Sequence, residues 1–144
     1  MSIIQIPGTI VSAMMQSAEV SYPYECCGLL IGQKTQNGNF IVSKIVSSPN
    51  VAQGNHTKSF EVDPQIRFNV MRKLSDGQKS IIGHYHSHPD HTSEPSKKDF
   101  DMALEPEMVW LIVAVENGIA QRPQANIVDL LKKRFQKIKI HEFN

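Results

Sequence analysis

The sequence has few cysteines, no long apolar run and no excess of charge of either sign. Its 144 residues include two cysteines, the neighbours Cys26 and Cys27, and 15 basic residues against 14 acidic ones. Adjacent cysteines rarely form a disulfide, because the bond would strain the peptide unit that they share. Two free thiols predict a reducing environment. The longest apolar run, residues 108–115, is far too short to span a membrane.

The amino-terminal segment is not typical of a secretory signal, since it has no basic region and Pro7 and Gly8 interrupt its apolar residues. Together with the free thiols, this predicts a cytoplasmic protein without membrane association. The densest basic run, residues 132–139, is interleaved with apolar residues and is typical of a solvated face. We therefore expect no nucleic-acid partner.

The length and the patterning predict a single domain over residues 1–144 with a mixed α/β sandwich fold. A chain of this size can bury one sizeable core, and no repeat or Pro/Gly/Ser linker divides it. Apolar periodicity and capping residues predict three helices, over residues 7–22, from 63 to just before Gly77, and over 96–104. Strands are predicted over residues 2–6, 26–33, 40–48, 59–63, 79–88 and 108–115. The carboxyl terminus is ambiguous, because residues 127–135 have a helical pattern whereas residues 135–143 alternate like a strand.

Four of the six histidines lie in one short stretch, HYHSHPDH, at the end of a predicted core strand. Side chains alternate between the two faces of a strand, so His84, His86 and His88 share one face, while His91 lies in the loop that follows. Imidazoles two positions apart can converge on one metal ion. The alternation leaves open which of the three histidines on this face are ligands.

A catalytic zinc site usually takes three protein ligands, so a third ligand is needed from a separate element. Asp99 is the best candidate, because it lies in the first turn of a predicted helix, where the helix dipole favours a carboxylate. The alternative interpretation is structural, since Ser96 and Asp99 also form the S-x-x-[DE] pattern of a capping box.

Hydrolysis at such a site also needs a general base that is not a ligand, and a glutamate usually has this role. The candidates are Glu94 in the loop, Glu105 after the helix and Glu25 ahead of the apolar run CCGLLIG. A carboxylate at the mouth of a core strand is rigidly held and partly desolvated, which favours Glu25 as a base. Its position alone is more typical of an exposed turn residue after Pro23.

The positions of these residues resemble a known signature. Glu25, His86-Ser87-His88, Ser96 and Asp99 follow the pattern E…H-[ST]-H-x7-S-x-x-D of the JAMM metalloproteases, the catalytically competent MPN-domain (MPN+) family. The flanking segments ECCGLLIG and GHYHSHPD are also similar to those of this family. The resemblance extends from about residue 17 to residue 115, and the compact length is similar to the stand-alone prokaryotic members.

This resemblance implies the JAMM/MPN α-β-α sandwich, which is similar to the cytidine-deaminase fold and has a curved mixed sheet flanked by helices. His86, His88 and Asp99 would bind one Zn²⁺ per chain, with water as the fourth ligand. Glu25 would be the general base, and Ser96 would hydrogen-bond the oxyanion. His84 would at most support the ligands and His91 would not bind the metal. For Cys27 and for Trp110, packing is the expected role.

The resemblance also implies the reaction, which is hydrolysis of a peptide or isopeptide bond. The expected partner is a ubiquitin-like sulfur-carrier protein ending in Gly-Gly, or a conjugate of it. Two alternatives remain at this stage: a peptidoglycan or phage-tail-associated JAMM hydrolase, and a non-catalytic MPN scaffold. A nucleoside deaminase is not expected, because the chain has no C-x-x-C. The oligomeric state is open between a monomer and a homodimer.

Overall fold

The structure is a computed structural model, and it describes residues 2–97, 99, 107–129 and 131–144. Within these residues it contains two α-helices and eight strands. The helices are α1 (Gly8–Ser21) and α2 (Pro64–Leu74). The strands are β1 (Ile3–Pro7), β2 (Cys27–Lys34), β3 (Phe40–Ser48), β4 (Ser80–Pro89), β5 (Val109–Glu116), β6 (Ile119–Ala120), β7 (Gln124–Asp129) and β8 (Arg134–Phe143).

The strands form one mixed sheet in the order β4-β2-β3-β1-β8-β7-β5-β6, and an additional pairing joins β4 to β5. Strand β1 pairs in parallel with β3 and β8, and β4 pairs in parallel with β5. The other pairings are antiparallel. Because β4 pairs with both β2 and β5, it is a central strand. Its neighbours β2 and β5 have the continuous apolar runs that are typical of strands buried on both faces.

The two helices cover opposite faces of β2. Leu30 belongs to the same buried cluster as Val11 and Met14 of α1, whereas Leu29 belongs to the cluster that contains Val70 of α2. Since neighbouring residues of a strand point to opposite faces, the two helices pack on different sides. The prediction of a mixed α/β fold is confirmed.

The helix boundaries follow from local chemistry. Helix α2 begins at Pro64, and the Oδ1 atom of Asp63 accepts a hydrogen bond from the Gln65 N–H at 2.9 Å. Helix α1 buries Val11, Met14 and Ala18, which recur at the spacing of one helical face. No helix among the described residues is long and apolar enough to cross a membrane.

The carboxyl-terminal segment was ambiguous between a helix and a strand. Among the described residues of 127–135, Ile127 and Val128 continue β7 and Phe135 lies in β8, so the helical alternative is wrong. The turn between these strands is held by the Asp129 carboxylate, which accepts the Leu131 and Lys132 N–H groups at 3.1 Å. The alternating pattern over residues 135–143 is confirmed as part of β8.

The predicted strand over residues 59–63 is also wrong, since the only ladder contact described there is a single bridge between Asn50 and Val62. Phe60 does not extend the sheet, and its ring packs against the rings of His86 and Trp110. Of the helix predicted over residues 96–104, Lys97 and Asp99 are helical, and residues 98 and 100–104 lie outside the described residues.

Candidate metal centre

Three buried side chains converge at the end of β4. His86 Nε2 lies 3.2 Å from His88 Nε2, and the two Asp99 oxygens lie 3.4 Å from His86 Nε2 and 3.1 Å from His88 Nε2. One donor atom from each residue lies within 4.8 Å of the others. The structure therefore brings together the two histidines and the aspartate that the sequence singled out.

The third side chain reaches this point through a helix cap. The Ser96 N–H donates to Asp99 Oδ2 at 2.9 Å, and the Asp99 N–H donates to Ser96 Oγ at 3.0 Å. This reciprocal pair is a capping box, so the structural interpretation of Ser96 and Asp99 applies, and it leaves the Asp99 carboxylate facing the two histidines. Because the Ser96 oxygen accepts in this bond, its hydroxyl proton can still be donated to another group.

The tautomer of His88 suits a metal ligand. Its Nδ1 atom lies 2.7 Å from the Thr92 carbonyl oxygen, which can only accept, so Nδ1 carries the proton. In its neutral form the imidazole then has its lone pair on Nε2, the atom that faces His86 and Asp99. A backbone carbonyl on the second ring nitrogen is the usual support for a metal-binding histidine.

The charges in the cluster also fit a cation. Burial lowers the pKa of His86, and its interactions with Asp99 offset only part of that effect. Burial lowers the pKa of His88 as well, but bonds to Asp99 and to Thr92 outweigh it, and the pKa is raised. Burial alone would raise the pKa of Asp99, yet hydrogen bonds with both imidazoles hold it well below its usual range. Two buried imidazoles beside a buried, ionised carboxylate are a set of residues that suits zinc, which takes the place of the protons between them.

Glu25 lies at the same cleft with its backbone held from both sides. The side chain is 6% exposed. Its N–H donates to the His56 carbonyl at 2.8 Å, and its carbonyl accepts the Asn50 Nδ2 at 3.2 Å. The adjacent Cys26 N–H donates to Ser87 Oγ at 2.8 Å. Glu25 is therefore a fixed, buried residue, and the interpretation as an exposed turn residue is wrong.

The cleft has a volume of about 1360 Å³, and Glu25, His88, Ser96 and Asp99 all line it. The charge of Glu25 is among the influences that raise the pKa of His88, which places the carboxylate within electrostatic reach of the cluster. A substrate bond in this cleft can thus meet the His88 ring, the carboxyl groups of Glu25 and Asp99, and the Ser96 hydroxyl.

The other histidines and the packing residues have separate positions. His84 is buried with its ring edge against Trp110, at 4.2 Å between centroids, and burial lowers its pKa far enough to keep it neutral. It does not belong to the donor cluster, and His91 is exposed on the loop. Cys27 is buried beside Trp110, and burial raises its pKa to about 12, so it is an inert packing thiol.

Several residues that build the site have no signal in the sequence. Phe60 stacks on His86 with ring centroids 4.0 Å apart. Thr92 acts through its carbonyl, and Asn50 and His56 hold the backbone of Glu25. These contacts use main-chain atoms or distant residues, so motif spacing cannot reveal them. Ser87 lies inside the motif, but the motif does not indicate its bond to Cys26.

Comparisons with known proteins give the relatives of this chain. Residues 7–126 match the family model described as prokaryotic homologs of the JAB domain. The chain is 30% identical to a desampylase from Haloferax volcanii over 72% of each chain. It is 24% identical to the CysO-cysteine peptidase of Mycobacterium tuberculosis, over 80% of this chain and 75% of the relative.

One further sequence relative and one solved structure are also similar to this chain. A tail tip assembly protein K from Escherichia phage N15 is 26% identical over 75% of this chain, which corresponds to 40% of the phage protein. A solution structure of a Desulfitobacterium hafniense protein superimposes with a TM-score of 0.82 at 22% identity, over 98% of this chain and 93% of that one. At that identity the solved structure supports the fold alone.

Proposed function

The chain belongs to the family of prokaryotic homologs of the JAB domain, and from this premise we propose that it is a zinc-dependent metallopeptidase. It hydrolyses a peptide or isopeptide bond at the Gly-Gly carboxyl terminus of a ubiquitin-like sulfur-carrier protein or of its conjugate. The observation that carries the proposal is the convergence of His86 Nε2, His88 Nε2 and the Asp99 carboxylate beside a cleft that Glu25 and Ser96 line.

His86, His88 and Asp99 would hold the zinc. When bound, zinc acts as a Lewis acid that polarises the substrate carbonyl and lowers the pKa of water. The protonated Nδ1 of His88 and the ionised state of Asp99 support this assignment, because both leave lone pairs directed at the shared point.

Glu25 and Ser96 would carry the proton and hydrogen-bond chemistry. The Glu25 carboxylate accepts a proton as water attacks the carbonyl carbon, and it gives that proton to the departing amine as the C–N bond breaks. The Ser96 hydroxyl donates to the oxygen on which negative charge develops. Its bond with the Asp99 N–H keeps that oxygen in place while the proton stays available.

The relatives support the substrate class. One is a peptidase by name and acts on CysO-cysteine, and the other is a desampylase. We extend this to a Gly-Gly-ending carrier for the present chain. We further propose a single cytoplasmic domain over residues 1–144, with an α-β-α sandwich similar to the cytidine-deaminase fold. Helices on opposite faces of β2 support that architecture.

The test is hydrolysis by protein that carries about one zinc per chain. The substrates are the small Gly-Gly-ending carriers of the source genome, each extended by one residue or joined through Gly-Gly to a lysine side chain. Mass spectrometry should show release of the added group at the Gly-Gly carbonyl, and chelation should abolish it. If zinc-loaded protein leaves both kinds of substrate intact, the proposal is wrong.

A second candidate function is a phage-tail or peptidoglycan hydrolase, which the similarity to the tail tip assembly protein favours. The same assay separates the two candidates when a muropeptide is added as a competing substrate. Cleavage of the muropeptide alone would select this alternative. A non-catalytic scaffold would bind no zinc, and its thermal stability would be unchanged by chelation.

A further inference from the structure

The cleft contains one cationic side chain whose charge is not balanced by a neighbour. Among the described residues that line the cleft, the permanent cations are Lys58 and Arg122. The Arg122 guanidinium lies 2.6 Å from a Glu142 oxygen. Lys58 forms no ion pair with any residue in the described part of the chain, and its side chain is exposed. Its ammonium group is therefore available to an anionic ligand in the cleft.

Lys58 is linked to Glu25 through the main chain. The His56 carbonyl, two residues away, accepts the Glu25 N–H at 2.8 Å. The Lys58 N–H donates to the Asn55 carbonyl at 3.1 Å, which closes a tight turn around His56. Asn50 then joins both ends, because its Nδ2 atom donates to the carbonyls of Glu25 and of Ser59. These hydrogen bonds tie the main chain that carries Lys58 to the main chain at Glu25.

The chemistry next to Glu25 determines what Lys58 can recognise. In the proposed reaction, on which this inference rests, Glu25 protonates the departing amine, so the departing group lies beside it. If that group is a single carboxyl-terminal amino acid, its carboxylate is two bonds from the amine nitrogen. A lysine side chain released from an isopeptide bond is aliphatic over the same distance and has no anion there.

We propose that Lys58 binds the free carboxylate of the departing residue and makes the enzyme selective for single amino acids released from a Gly-Gly terminus. The ammonium of Lys58 donates charge-assisted hydrogen bonds to this carboxylate. The site then prefers a peptide bond at the carboxyl terminus over an isopeptide bond, because the isopeptide substrate leaves the ammonium without its partner.

Three blocked peptides test the proposal with the full-length, zinc-loaded protein. The first ends in Gly-Gly-Ala with a free carboxylate, the second is its carboxamide, and the third joins Gly-Gly to the side chain of a blocked lysine. We expect kcat/KM to be about 10- to 100-fold higher for the free carboxylate, the usual range for a hydrogen bond to a charged group. Lys58→Met should remove most of that preference, and Lys58→Arg should restore it.

The controls separate the possible failures. Lys132→Met removes an exposed cation from the β7–β8 turn and should leave the preference intact. If zinc-loaded wild-type protein cleaves none of the three peptides, the proposed function fails, and the inference falls with it. If it cleaves them but Lys58→Met lowers the carboxylate and carboxamide rates equally, the peptidase assignment stands and the role of Lys58 is wrong.

Discussion

The polar side chains on the two faces of β4 have different partners. On one face, His86 and His88 direct their Nε2 atoms to a point that they share with a carboxylate. On the other face, Tyr85 and Ser87 point into the interior, where Tyr85 packs in the cluster that includes α1. A Cβ at Gly28, opposite Tyr85, would overlap the tyrosine ring, so this face is packed to contact.

One strand therefore positions both the donor atoms and the backbone next to Glu25. The imidazole face supplies donor atoms to a ligand. The inner face supplies a hydroxyl to the protein itself, since Ser87 Oγ accepts the Cys26 N–H next to Glu25. Because both anchors are on one rigid strand, the spacing between the donor atoms and the carboxylate is built into the sheet.

The largest effect is expected on the imidazole face. His88→Ala removes one of three donors, so zinc content should fall from about one per chain to near zero, and hydrolysis should fall to background. Elemental analysis after gel filtration measures the first quantity. His141→Ala, which removes an exposed histidine from β8, should keep both zinc and activity. Full zinc content in His88→Ala would contradict the ligand assignment.

The next effect concerns the carboxylate that the inner face helps to position. Glu25→Gln keeps the shape of the side chain but cannot accept a proton. We expect zinc content to be unchanged and kcat/KM to fall by about 10²–10⁴, the usual contribution of a general base. Glu107→Gln, at an exposed position far from the cluster, is the matched control. Wild-type turnover in Glu25→Gln would mean that another group is the base.

A smaller effect is expected for the inner-face hydroxyl. Ser87→Ala leaves the Cys26 N–H without its partner, which should lower the free energy of unfolding by about 1–3 kcal/mol. Because Ser87 acts through the backbone next to Glu25, kcat should fall while KM and zinc content stay close to wild type. Denaturant titration and steady-state kinetics measure these quantities. A loss of zinc in Ser87→Ala would show that the two faces are not independent.

The imidazole face was more predictable from the sequence than the parts that support it. Alternation along a strand made His84, His86 and His88 candidate metal ligands. The need for a third ligand from a separate element indicated Asp99. The choice of His86 and His88 came from resemblance to a family motif. The histidine contacts of Phe60 could not be predicted, because the residue lies in a segment that resembles a strand and contributes no ladder.

The fold was also only partly predictable from the sequence. Core strands such as β2 and β5 have continuous apolar runs that few other elements produce. Residues 127–135 stayed ambiguous because their apolar positions fit both periods, and only pairing with a distant partner distinguishes a helix from a strand there. Strand β8 obtains that pairing from β1, more than 130 positions earlier in the chain. Local periodicity contains no information about such contacts.

The smallest effect is expected where the imidazole face is supported by packing alone. Phe60 stacks on His86 at 4.0 Å with 15° between the ring planes, and Phe60→Leu keeps an apolar side chain but removes the flat surface. We expect the zinc dissociation constant to rise by about tenfold, the low end for residues that orient a ligand. Competition with a chromophoric chelator measures the zinc dissociation constant.

Phe40→Leu is the matched control, because Phe40 is similarly buried in the cluster that includes α1. It should cost a similar stability, below about 1.5 kcal/mol, without changing zinc affinity. Equal zinc affinities in the two variants would mean that the strand alone orients His86.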